Sequence, residues 1–196
     1  RLNLSEIGQI AGRAGRYLND GSFGITGQCK EINAEEVDLL ENHKFEDIRF
    51  LFWRNSNLNF NNPLSLIKSL DEKPQKEWLR KINECEDEKA LKFFLRDSNL
   101  INNKLNQDQL SLLWECCQIP DFVKKTYGNH YEVIKNVYKY LKSKKGKITD
   151  DFMRLQLMKL NKIDGNVDSL SNRIANVRTW SYVSNKNNWV ENQSYW

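Results

Sequence analysis

Three prolines and nine glycines in 196 residues leave long stretches with nothing to interrupt a helix. That scarcity constrains the fold more than any other feature, because proline and glycine are the residues a helix interior tolerates least. Apolar residues recur at i, i+3 and i+4 in most windows, which predicts helices over 87–97, 107–118, 130–143, 150–162 and 167–182. Start signals agree. Asn62 followed by Pro63 reads as an N-cap and first helical residue for 64–70, and Asn33 with Glu36 reads as a capping box for a helix reaching about His43. Two stretches break the pattern: DGSFGITG (20–27) reads as a turn leading into a short strand, and IRFLFW (48–53) is too short to assign between strand and helix.

A hydrophobic fraction of 39% with 11% aromatic residues supplies a core for a chain of this size and excludes disorder throughout. No apolar run approaches the roughly 18–20 residues of a membrane span, and the sequence following Arg1 lacks signal-peptide character. A cytoplasmic protein is the expectation. Cys29, Cys85, Cys116 and Cys117 show no CxxC spacing, and His43 and His130 are the only imidazoles, so neither a disulfide framework, a zinc site nor a cysteine nucleophile is indicated. The frequent Asn and Lys read as compositional bias. The segments 70–76 and 143–149 are the most linker-like, and the two ends suggest a piece of a longer protein.

Charge is local. Residues 121–147 hold eight lysines against Asp121 and Glu132, while the whole chain is only +4. Lys135, Lys139 and Lys142 share a helical stripe, and Lys144, Lys145 and Lys147 follow it. Such a face suits polyanion phosphates, although a solvated helix surface has the same pattern. The C-terminal aromatics Trp180, Tyr182, Trp189, Tyr195 and Trp196 suggest core packing before base stacking, with Leu170, Ile174, Val177 and Trp180 or Ser181 as one buried stripe.

Residues 3–16 read NLSEIGQIAGRAGR. Asn3 and Glu6 can cap a helix, with Ile7, Ile10, Ala11 and Ala14 on its apolar side. On a continuous helix, Gln9, Arg13 and Arg16 would emerge along the opposite stripe beside Gly12, the outline of a phosphate clamp. Arginine suits that task because its planar, permanently charged fork can meet the charge that develops in phosphoryl transfer.

The segment QIAGRAGR resembles motif VI of superfamily 2 helicases, the arginine-finger helix of the second RecA-like lobe. WRNSNLNF (53–60), LLWECCQIPDF (112–122) and RTWSYVSNKNNW (178–189) resemble the C-terminal region of bacterial RNA helicases of the mitochondrial-degradosome, Suv3-like type. The resemblance implies a mainly α chain: the end of a RecA-like α/β lobe over 1–30, a helical connector over 31–110 and a helical Suv3-like region over 111–196. It implies that Arg13 and Arg16 approach the γ-phosphate, that Gln9 contacts that phosphate or the attacking water, and that Gly12 and Gly15 keep the approach open. The intact enzyme would use ATP and Mg to move 3′ to 5′ on RNA, with an exoribonuclease as a possible partner. This chain has neither GxxxxGK[ST] nor a DExH box, so it should bind no nucleotide and be inactive alone. The competing expectation is a non-catalytic helical scaffold that docks a ribonuclease or another protein.

Overall fold

The computed structural model describes residues 2–15, 19–96, 105–122, 127–161, 167–186 and 188–191. It is mainly helical. Among these residues the order is α1 (Leu4–Ala11), α2 (Ala34–Glu41), β1 (Leu51–Trp53), α3 (Pro63–Leu70), β2 (Leu79–Lys81), α4 (Glu86–Arg96), α5 (Gln107–Cys117), α6 (Tyr127–Lys142), α7 (Asp150–Asn161) and α8 (Val167–Ser184). The chain divides into two compact units, Arg1–Leu51 and Phe52–Trp196. The sequence reading placed its boundaries near residues 30 and 110; residue 110 lies within α5, which packs against α4 inside the second unit.

Among the described residues, asparagine starts four of the helices. Asn3, Asn33 and Asn106 each close a capping box, their side-chain oxygens accepting from the backbone N–H of Glu6, Glu36 and Gln109, and Asn62 accepts from Ser65 N–H ahead of Pro63. Each satisfies an orphan donor that would otherwise cost about 1 kcal/mol. The caps expected at Asn3, Asn33 and Asn62 form, and Asn106 adds a fourth.

Within the first unit, α1 buries no residue completely, and Ile10 is 58% exposed. The Phe45 ring lies where a side chain on Gly8 would stand, 2.5 Å from the position of a Cβ, so the absent side chain admits the aromatic. DGSFGITG departs from expectation. It forms no strand: residues 19–26 run without a ladder to a turn at Gly27, whose φ is +64°. A strand needs a neighbour for its N–H and C=O groups, and the only sheet among the described residues pairs β1 with β2. In IRFLFW the strand is confined to Leu51–Trp53.

The core of the second unit joins Leu66 and Leu70 of α3, Leu91 and Phe94 of α4, Leu110, Leu113 and Trp114 of α5 and Ile134, Val137 and Tyr138 of α6. Full burial of each such aliphatic or aromatic side chain contributes about 1.5–3 kcal/mol. Cys116 and Cys117 are buried in the same cluster, and burial pushes both thiols far above their ordinary range, so neither is available as a thiolate. Trp180 is buried as expected and Trp189 is buried too, whereas Tyr195 and Trp196 lie outside the described residues.

The proposed stripe on α8 is wrong. Leu170, Ile174 and Val177 are 59%, 53% and 38% exposed, and the buried positions are Thr179, Trp180, Val183 and Ser184. Among the described side chains of α8, those of the last turns meet the core, where Trp180 stands edge-on to Phe152 at 5.7 Å between centroids and the Thr179 hydroxyl lies 3.2 Å from the Pro120 carbonyl. Periodicity identified an apolar row but could not say which part of the helix had a neighbour.

The loop before α3 is set by one buried amide. Asn55 Nδ2 donates to the carbonyls of Asn57 (3.1 Å) and Ser69 (2.9 Å) and to Glu72 Oε2 (2.6 Å), while Asn55 Oδ1 accepts from Asn57 N–H at 3.0 Å. Ser69 Oγ accepts from Asn59 N–H, and Asn59 Oδ1 accepts from Asn61 N–H, both at 3.0 Å. Arg54, next along, donates to Asp87 at 2.8 Å, lies 3.5 Å from Glu88 and covers the Trp114 ring at 5.0 Å. Burial raises the Glu88 carboxyl above the usual carboxylate range, against the opposing pull of Arg54. These bonds tie 54–61 to α3 and α4.

Candidate functional site

Two groups of residues were singled out by sequence, and each lies within a separate compact unit. The first surrounds the end of α1. The helix stops at Ala11: Gly12 is its C-cap, and the following amides make shorter turns, Arg13 N–H to Ile10 O at 3.2 Å and Ala14 N–H to Ala11 O at 2.9 Å. Gln9 and Arg13 therefore do not share the one continuous helix that the expected stripe required. Gln9 stands on the helix and Arg13 on the turn beyond it, both exposed, while Arg16 lies outside the described residues.

The physical reason for the stop is in the glycines. Glycine weakens helix continuation at positions 12 and 15, and Gly15 and Gly21 bring two stretches of backbone together. A Cβ on Gly15 would stand 2.6 Å from the Asn19 carbonyl oxygen, and one on Gly21 would collide with the backbone of Ala14 and Gly15. These glycines thus permit a close backbone crossing beside Arg13. Arg13 takes no ion-pair partner among the described residues, so its guanidinium is available to an anion.

The second group is the lysine face of α6. Ile134, Val137, Tyr138 and Leu141 are buried, which turns Lys135, Lys139 and Lys142 to the flank of the helix. Lys139 and Lys142 are exposed; Lys135 is half-buried, 3.9 Å from Glu132, and the Lys142 ammonium lies 5.8 Å from the Tyr138 ring centre. Lys144 and Lys145 are exposed in the next loop and Lys147 is half-buried. Lys124 and Lys125 fall outside the described residues.

That basic loop is held at both ends. Gly146 adopts φ +63° and donates to the Ser143 carbonyl at 2.9 Å. Ile148 forms a parallel bridge with Val190, donating to the Trp189 carbonyl at 2.8 Å and accepting from Glu191 N–H at 3.1 Å. Sequence reasoning did not connect this loop with the C-terminal segment, because a single bridge has no periodicity to detect. Lys186 joins the same end of the unit, its ammonium 5.1 Å from the Tyr182 ring centre and 5.9 Å from that of Trp189.

His43 follows α2 with φ 51°, while His130 stands half-buried in the first turn of α6. Burial lowers the His130 pKa, opposed by Asp121 and by a hydrogen bond with the Ile119 backbone. Among the described residues no cluster of three or more His, Cys, Asp or Glu could hold a metal ion, and no helix is long and apolar enough to cross a membrane. Compared with protein-family models, curated proteins and solved structures, the chain matches none.

Proposed function

We propose that this chain is the C-terminal part of an ATP-dependent RNA helicase, comprising the end of the second RecA-like lobe and a helical accessory region. The observation that carries the reading is Gln9-x-x-Gly12-Arg13-x-Gly15-Arg16 at the end of an Asn-capped helix, with Gln9 and Arg13 exposed and Arg13 without an ion-pair partner among the described residues. Phosphoryl transfer is accelerated chiefly by positioned charge, so an arginine held by a short, glycine-shaped turn is the element such an active site takes from this lobe. Gln9 would meet the γ-phosphate or the water that attacks it. The Mg ligands and the phosphate-binding loop would come from the first lobe, which supplies the remaining chemistry when ATP is bound.

The lysines of α6 and the following loop support the RNA part of the proposal. They offer phosphate contacts without base selectivity, as a translocating enzyme requires. A cytoplasmic location and 3′-to-5′ movement belong to the same proposal. The scaffold reading keeps one observation of its own, the exposed row Leu170, Ile174 and Val177 on α8.

The test compares two proteins. The longer gene product, with GxxxxGK[ST] and DExH upstream, should hydrolyse ATP in an RNA-stimulated manner, and the purified 196-residue chain should show no turnover. ATP hydrolysis by the chain itself, or a longer product without those motifs, would overturn the reading.

A further inference from the structure

We propose that the open groove beside α3 binds an extended, largely uncharged peptide segment of a partner protein. The groove has a volume of about 650 Å³, a size that accommodates a ligand segment, and Asn57, Phe60, Asn61, Lys68, Glu72 and Gln107 contribute to its wall. Its chemistry is that of a peptide backbone. The side-chain amides of Asn57, Asn61 and Gln107 are exposed and take no hydrogen-bond partner among the described residues. Each offers a donor and an acceptor, which complements the alternating N–H and C=O groups of an extended chain.

Charge selects against nucleic acid. Lys68 and Glu72 stand four residues apart and offset one another, so the groove lacks the one-signed field that phosphates require, in contrast to the lysine face of α6. Half-buried Phe60, packed against the core, provides an apolar surface for one peptide side chain. The wall is also set before binding. Asn55 and Ser69 fix the backbone of 57–59 through the hydrogen bonds given above, and Asn59 fixes that of Asn61, so little loop ordering is required when a peptide arrives.

This inference does not rest on the helicase reading, and its test uses neither ATP nor unwinding. The 196-residue chain is screened against a displayed library of random twelve-residue peptides, and the dissociation constant of an enriched peptide is measured by fluorescence anisotropy. Enrichment of sequences with an uncharged centre is expected. Combined Asn57→Ala, Asn61→Ala and Gln107→Ala substitution should weaken binding by about tenfold or more, since it removes several hydrogen bonds. The single variant Asn61→Arg, which fills the groove while keeping the backbone bonds of the loop, should do the same. Leu64→Ala, outside the groove, should leave affinity unchanged. Absence of enrichment, a smaller loss in both groove variants, an equal loss in Leu64→Ala, or displacement of the peptide by a twelve-nucleotide oligouridylate would each overturn the proposal.

Discussion

Replacing Arg13 with Ala in the longer protein is expected to lower kcat for RNA-stimulated ATP hydrolysis by roughly 10³-fold or more, the scale of an arginine finger. RNA affinity should change little, because the substitution leaves every lysine of the α6 face in place. The substitution is mild for the fold: Arg13 is exposed, lies beyond the end of α1 and makes no ion pair among the described residues. A loss of kcat would therefore report lost charge stabilisation rather than unfolding. Lysine at the same position should not restore the rate, since a point charge lacks the planar fork that meets two phosphate oxygens. Steady-state ATPase assays at saturating RNA would check the effect, and a loss confined to KM would assign Arg13 to ground-state binding instead.

The second large effect concerns RNA affinity. Substituting Lys135, Lys139 and Lys142 together with Ala should flatten the plot of log affinity against log salt by about 2 units, the value for three lost single-strand phosphate contacts. At 0.1 M salt that is about a hundredfold weaker binding relative to a 1 M reference. Alanine maintains helix propensity, and Ile134, Val137, Tyr138 and Leu141 still hold α6 to the core, so the fold is preserved. The three lysines should not contribute equally. Lys139 is exposed, whereas Lys135 already has Glu132 nearby and should give the smallest single effect. Anisotropy titrations of a fluorescent single strand at several salt concentrations would check this, and an unchanged slope would make the face an ordinary solvated surface.

The helical segments were legible because their signals are local. Asn62-Pro63, Asn33 with Glu36 and Asn3 with Glu6 act through bonds only three residues long, and all three caps form as read. Burial of Trp180 was also legible, although the row of residues that suggested it is not buried as a whole. Features set by distant neighbours were not. The exposed row Leu170, Ile174 and Val177 has the spacing of a core stripe, and only the position of Phe152 and Pro120 shows that packing begins one turn later. The strand expected in DGSFGITG required a partner strand that the sequence of the segment cannot reveal. The end of α1 was missed for a different reason, since the crossing of Gly15 and Gly21 is a backbone contact and leaves no side-chain pattern. At the candidate site the helix that would align Gln9 with Arg13 stops at Ala11, and Arg16 lies outside the described residues. Asn55 went unnoticed because a buried amide that organises a loop looks, in sequence, like one more asparagine.

The central claim is that Arg13 acts on the transition state of phosphoryl transfer, and binding of a transition-state analogue tests it most directly. ADP with aluminium fluoride should bind the longer protein at least about 10²-fold more tightly than ADP alone, as expected of a site complementary to the transferring phosphoryl group. Arg13→Ala should leave the affinity for ADP unchanged and abolish most of that preference. Equal preference for the analogue in the wild-type and Arg13→Ala proteins would contradict the account.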